Sequence, residues 1–497
     1  MKTLGLSSKL IWQPALAALV LAALSAPIAP TARAQEKSMP LSQVQRLNRA
    51  PVNKEVLRVQ LPRPTVVMLK NGLTLLLLEN HKLPTVAFSL WIRPGQLADP
   101  IDLPGLASFA AGMLREGTER RTSAQIATET DSLGATLSAT AVFGSSYLSV
   151  DASGWISDAW QILDLLSDVV LHPSFPSSEL AQYKQREQAS LEQRLSNPGF
   201  LARQAFRRVL YGDAPLSVTS PTKESIEKVT ADDLKKFHDE HFRPGNAILG
   251  VTGDFKTSDM QALVEKYFGG WTGAAEPPAK LPASATPRPA QITLVDRPSS
   301  VQTFIIGGNR SIRRTDPDFY ALTVMNQVLG GGPQSRLFLD LREEHSYTYG
   351  AYSRFNSEIY PGDWAASAAV RTPVTDGSMT QFLYELKRIN HELVPQGELD
   401  ESRRAIIAGF ALSLEQPAQV LASWLTVQHF GLPADYWNTY PDHIAAIDAV
   451  AVQAAAKKFI DLDHLQWICV GDRKQIQDVL AKYGQVAVVD VNGKNEN

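Results

Sequence analysis

The sequence predicts an α+β protein made of two homologous domains, each mixing helices with a mostly antiparallel sheet. Three observations carry that prediction. The chain repeats itself: Glu179-Leu180 through Asn197-Pro198 is matched by Glu398-Leu399 through Gln416-Pro417, and Val251-Thr252-Gly253-Asp254 by Cys469-Val470-Gly471-Asp472, at a common offset of about 218 residues. Thr230, heading one amphipathic run, is matched by Asp448 at the same step. One offset at separate anchors indicates a duplicated unit of roughly 200 residues. Each unit also runs strands, then long helices, then a strand and a helix, an order that favours helices layered on one face of a sheet. Finally, residues 273–290 are an Ala/Pro-rich extended linker that divides the chain into two similar lengths. The expected organisation is a signal peptide over 1–34, an arm over 35–62, a first domain over 63–272, the linker, a second domain over 291–487 and a tail over 488–497.

The elements follow in order. Lys2 and Lys9 supply a positive start, 11–28 is apolar, and Ala32-Arg33-Ala34 is a small-x-small cleavage site, so the mature chain is expected to begin at Gln35. No twin arginine or lipobox cysteine accompanies it. The alternative is an uncleaved membrane anchor; no later apolar run approaches the length of a span, so no other membrane contact is expected. The lone cysteine, Cys469, lies in the apolar run Trp467-Ile468-Cys469-Val470, expected as a buried strand. An exported chain with no possible internal disulfide and a large core fits the bacterial periplasm. At 497 residues the chain exceeds one ordinary core. Its net charge of −3 gives no reason to expect a nucleic-acid partner.

Val66-Val67-Met68-Leu69, the turn Asn71-Gly72 and the run starting Leu73-Thr74-Leu75 predict a hairpin, because Asn-Gly between apolar runs suits a tight two-residue turn. A buried strand follows from Thr85 to Ile92. A helix is expected over 104–116, opened by Pro104 and stopped at Glu116-Gly117-Thr118. Thr122-Ser123-Ala124-Gln125 is a capping box opening the next helix, which ends at Gly134. Paired strands around Gly144, long amphipathic helices to about Tyr211, a helix capped by Thr230 and a strand over 246–251 complete the first unit.

Taken alone, Gly105 through Thr118 is a small-residue core helix. Its frame, however, resembles the M16 (insulinase, or pitrilysin-like) zinc peptidases, whose matching helix carries two histidines four residues apart with a glutamate base between them. Those positions here hold Ser108, Ala111 and Gly112. The family's third ligand, a glutamate on a later helix, matches Ala189, with Glu187 and Glu192 off register. A catalytic zinc needs about three protein ligands and an open position; Gly112 and Ala189 offer none, Ala111 has no proton acceptor, and Ser108 is a poor ligand. No metal is therefore expected in this chain. The resemblance covers about residues 64–486 and implies the M16/LuxS-like metallohydrolase fold.

The second unit holds Gly330-Gly331-Gly332 followed by Arg342 and, seven residues later, Tyr349. The glycines permit close backbone approach; as a phosphate loop the spacing is wrong. The segment resembles an M16 element in which an arginine and a tyrosine cross the cavity to hold substrate and stabilise the oxyanion, and Arg342 and Tyr349 match both positions. The bland alternative pairs Arg342 with Glu343 or Glu344 and packs Tyr349 at a strand edge. Tyr347 is near but off the spacing. His238 and His241 could share a helix face, but they precede a Pro-Gly turn. His345 reads as a surface residue.

The resemblance implies a zinc-free subunit of a heterodimeric peptidase. A zinc-bearing partner would supply the metal, while this chain supplies Arg342, Tyr349 and half of a peptide chamber. The edge around Leu137, Ser138, Ala139 and Thr140 would bind extended peptide. The alternative is an inactive scaffold or peptide-binding protein, with no need to keep both Arg342 and Tyr349. A self-sufficient hydrolase is disfavoured, since no G-x-S-x-G elbow is present.

Overall fold

The computed structural model describes residues 58–277, 288–491, 493 and 494. The expected signal peptide, most of the arm and the centre of the linker lie outside the described residues.

Strands β1 (Thr65–Met68) and β2 (Thr74–Glu79) form the expected hairpin, with Thr65 opposite Leu77. Gly72 turns the chain at φ +95°, where a side chain would be strained. Asn71 also closes the end of the helix Thr257–Phe268, donating from Nδ2 to the carbonyls of Phe268 and Trp271 at 2.8 and 3.1 Å. With β3 (Thr85–Ile92), β4 (Thr136–Ala141), β5 (Leu148–Trp155) and β6 (Ala247–Gly253), these strands form a sheet of order β1-β2-β6-β3-β5-β4. Only β2 and β6 pair in parallel.

The second domain repeats this plan. Strands β7 (Gln291–Asp296), β8 (Gln302–Arg310), β9 (Thr348–Phe355), β10 (Asp363–Arg371), β11 (Gln466–Gly471) and β12 (Val486–Val489) lie in the order β12-β7-β11-β8-β10-β9. The run β7-β11-β8-β10-β9 copies β2-β6-β3-β5-β4, including its one parallel pair. The sixth strand is different: β1 joins β2 antiparallel, whereas β12 joins β7 in parallel. Strand β12 has no counterpart among the elements expected from the sequence. Its run Val486-Ala487-Val488-Val489 suits a pleated surface and covers the edge that β7 would otherwise expose.

The expectation of helices on one face only is corrected. Strands β6 and β11 are buried at every residue. Such strands need cover on both faces. Each domain supplies the second layer for the other. The helix Pro198–Tyr211 of the first domain packs on β8 and β11, placing Phe206 with Ile306, Ile468 and Val470. Its repeat equivalent, Pro417–Phe430, packs on β2 and β6, placing Leu421, Trp424 and Leu425 with Leu76, Leu78 and Ile248. Gly250 makes room for that contact, since a Cβ there would come 2.8 Å from Leu421. Each large side chain so buried contributes about 1.5–3 kcal/mol. The described end of the arm joins the same layer: Leu61 is buried, its N–H donates to Asn438, and Trp424 Nε1 donates to the Pro62 carbonyl at 2.8 Å.

Local signals appear as expected elsewhere. Thr122 and Thr230 each close a capping box, and Asp448 caps the helix equivalent to that of Thr230. Cys469 is buried in β11, and burial pushes its thiol up to about 12.

Candidate functional site

The helix that would carry the metal spans Leu106–Met113, shorter at both ends than the sequence suggested. Pro104 does not open it. Gly105 does, at φ +96°, and the carboxylate of Asp99 accepts from the N–H groups of Gly105 and Ala107 at 2.6 and 2.8 Å. A carboxyl group from a preceding loop thus satisfies donors that the helix leaves free. Burial pushes the Asp99 carboxyl up to about 7. At the other end the last turn tightens at Leu114, so Gly117 lies beyond the helix rather than stopping it.

Ala111 is buried, and Ser108 and Gly112 are half-buried. The place of a side chain at 112 is taken: a Cβ on Gly112 would come 2.1 Å from the hydroxyl of Tyr183. Tyr183 projects from the helix Ser177–Leu195, meets Phe109 edge-on at 5.2 Å and lies 5.4 Å from the Arg186 guanidinium. Burial pushes its phenol up to about 12, so it stays neutral. Arg186 pairs with Glu116 at 2.5 Å, Glu187 pairs with Arg194 at 3.2 Å, and Ala189 is exposed. A neutral phenol beside a paired guanidinium is not a zinc ligand set. The residues present do not fit the family's metal. Tyr183 leaves one trace in the sequence, an aromatic three residues after Leu180 on an otherwise polar helix.

The second constellation comes together. At the end of the helix Phe319–Gly330, a Cβ on Gly330 would come 2.2 Å from the backbone N of Ser353, so glycine lets this helix touch β9. The chain then forms the short helix Arg336–Phe338, which widens into a π-helical turn over Leu339–Glu344. Arg336 anchors it, donating to both carboxylate oxygens of Glu398 at 2.7 and 2.9 Å. Such wide turns occur often at functional sites. Arg342 projects from this turn. Its Nε donates to Glu343 at 3.0 Å and its Nη1 to the Tyr349 carbonyl at 2.5 Å.

A β-bulge aims Tyr349. Val370 opposes Thr348 and Ala368 opposes Ala351, so Tyr349 and Gly350 together face Ala369. The extra residue puts Tyr349 on the same face of β9 as Tyr352, away from the core. Tyr349 is 88 % exposed. Tyr347 turns the other way, its hydroxyl within 2.6 Å of where a Gly377 Cβ would be. Arg342 and Tyr349 line a cavity of about 400 Å³ with Gln302 and Arg371. On the equivalent edge of the first sheet, Leu137 is buried, Ala139 half-buried, and Ser138 and Thr140 exposed. Arg115 donates to the Leu137 carbonyl at 2.8 Å.

Other titratable clusters have structural roles. His238 donates from Nε2 to the Val170 carbonyl and His241 from Nδ1 to the Glu276 carboxylate, so the two do not converge. His345 is half-buried rather than a free surface residue, 2.8 Å from Asp340. Ser146 Oγ lies 2.7 Å from His429 Nε2 and 2.8 Å from Glu358, tying the two domains. There the acid meets the serine instead of orienting the imidazole, and Ser146 is buried, so this trio is not arranged as a nucleophilic triad.

Comparison with known proteins agrees with this architecture. Residues 74–214 match the family model described as "Insulinase (Peptidase family M16)", and residues 228–406 match "Peptidase M16 inactive domain". The chain belongs to the M16 peptidase family. Among its relatives is the "Uncharacterized zinc protease YmxG" of Bacillus subtilis, 25 % identical over 352 residues, covering 70 % of this chain and 83 % of that protein. Another is the "Non-peptidase homolog YmxG" of Helicobacter pylori, 23 % identical over 418 residues, covering 80 % and 91 %. The crystal structure of a peptidase M16 inactive domain from Pseudomonas fluorescens superposes with a TM-score of 0.76 at 27 % identity, covering 82 % of this chain and 98 % of that one. A Helicobacter pylori protease structure shares the fold at a TM-score of 0.75 and 17 % identity, covering 82 % and all of that chain. The protein is thus an M16-like pair of domains, with the inactive-domain match over residues 228–406.

Proposed function

We propose that this chain is the zinc-free subunit of a periplasmic heterodimeric M16-type metallopeptidase. A partner subunit would bring zinc, its histidines and the glutamate base. This chain would bring Arg342, Tyr349 and half the wall of a peptide chamber. One observation carries the reading: the metal position at Gly112 is filled by Tyr183, while Tyr349 stays exposed beside Arg342. Forked guanidinium donors suit a substrate carbonyl, and a phenol O–H suits charge developing on the tetrahedral oxygen. The edge strand β4, at Leu137 to Thr140, would pair with extended substrate. Export to the periplasm rests on the leader-like N-terminus and the absence of a cysteine pair.

The test replaces Arg342 with Ala and Tyr349 with Phe in the pair reconstituted with a zinc-motif M16 chain. Turnover should fall about 10²-fold in each, with assembly unchanged by gel filtration. Wild-type turnover in both variants would contradict the assignment. A second reading, an inactive scaffold or peptide-binding protein, draws on Arg342 already being paired with Glu343. It predicts that neither residue matters to any activity.

A further inference from the structure

A cleft of about 680 Å³ lies beyond the Arg342–Tyr349 cavity on the same face of the second sheet. Its floor is β8, β10 and β9, through Phe304, Ser367 and Tyr352. Its far wall comes from the first domain, through Phe143, Phe200 and Arg203. The strands connect the two spaces. Gln302 and Phe304 alternate along β8, Arg371, Ala369 and Ser367 along β10, and the bulge brings Tyr349 into line with Tyr352 and Arg354. From Tyr349 to Arg354 the strand extends about 17 Å, the length of about five extended residues.

The cleft is strongly cationic. Arg203 and Arg354 are exposed, and among the described residues neither guanidinium has a hydrogen bond or ion pair. Arg207 is tucked against Gly144, with Nε 3.8 Å from Asp363 and Nη1 3.5 Å from the Phe143 carbonyl. Asp363 is the only acid lining the cleft among the described residues. It is buried, accepts from Asn356 at 3.1 Å and Tyr211 at 3.3 Å, and burial pushes its carboxyl toward the neutral form. Two free guanidinium groups above aromatic walls therefore face no compensating charge. Arginine with this fork geometry recognises carboxylates.

We propose that this cleft is an acid-binding subsite, in which Arg203 and Arg354 hold a peptide carboxylate about five residues from the segment lying against Tyr349. The carboxylate is an Asp or Glu side chain or the C-terminus of the peptide. The assignment rests on the reading that the Arg342–Tyr349 end holds substrate backbone. It makes the chamber selective for acidic peptides, or for fragments already trimmed at a set length.

The experiment is calorimetric titration of the purified full chain with three synthetic ten-residue peptides: a neutral C-terminal amide, the same peptide with a free C-terminal carboxylate, and the amide with one internal Asp. At least one acidic peptide should bind about tenfold more tightly than the neutral one. Which one does so identifies the source of the carboxylate. In the R203Q/R354Q variant the advantage should disappear while neutral-peptide affinity stays. In R203E/R354E, a fourth peptide, the amide with Lys in place of the Asp, should become the preferred ligand. Equal affinity of the wild type for neutral and acidic peptides would overturn the subsite and leave the Arg342–Tyr349 reading standing. No binding of any peptide would overturn both.

Discussion

In the first domain, the helix Leu106–Met113 presents Gly112 to the ring of Tyr183; in the second, the turn over Leu339–Glu344 presents Arg342 beside an exposed Tyr349. Both sites sit near the edge strands of two sheets with one topology, β4 in one and β9 in the other. The first has been closed by packing: where a ligand side chain would stand, an aromatic ring fills the volume. The second has been held open by an anchored turn and a bulge. The difference teaches that the first site departs from a metal site in more than its missing ligands. A side chain on another helix, Tyr183, stands in the space, so restoring a histidine at 112 alone would clash.

The comparison can be broken at several strengths. The largest effect is expected where the domains exchange helices. Phe206→Ala and Leu421→Ala each empty a contact between a helix and the other domain's sheet, and each should cost about 2–5 kcal/mol in chemical denaturation. Because each helix covers the other domain's sheet, both variants should still unfold in one transition. Separate transitions for the two domains would show that the exchanged layers do not couple them. Next comes the closed site. Gly112→His forces the imidazole into Tyr183, and overpacking of this kind costs about 1–3 kcal/mol. Tyr183→Ala in the same chain should recover much of that loss, so the double variant is more stable than the sum of the singles. Strict additivity would mean that Tyr183 does not occupy the ligand position.

A further effect is a pH dependence at the head of the same helix. Asp99 is raised to about 7 from an ordinary value of 3.8 by burial. The folded state then binds this proton more tightly than the unfolded state. Its contribution is fully present below about 4 and is lost as pH rises through about 7. Asp99→Asn should flatten the decline of stability between pH 4 and 7. An unchanged pH profile would show that Asp99 keeps its charge against the helix N-terminus.

Short-range signals in the sequence translated directly into structure. The Asn71-Gly72 turn, the Thr122 and Thr230 capping boxes and the buried strand around Cys469 each depend on a few adjacent residues. The repeat at about 218 residues also translated, because equivalent residues take equivalent places in the two sheets. Long-range arrangements were not legible. Nothing near Pro198 or Pro417 says that the following helix will cover the opposite domain, and nothing near Gly112 names Tyr183. Asp99 caps a helix across several intervening residues, outside any local capping pattern. At the second site the seven-residue step from Arg342 to Tyr349 was visible, but the bulge that separates Tyr349 from Tyr347 follows from pairing with β10.

The most direct measurement is zinc content together with peptide cleavage, for this chain alone and mixed with a zinc-motif M16 chain from the same organism. The account predicts no stoichiometric zinc and no cleavage for the chain alone, and metal-dependent cleavage by the mixture. One zinc per chain with cleavage by the isolated protein would contradict it, because Ser108, Ala111, Gly112 and Tyr183 would then conceal a working metal site.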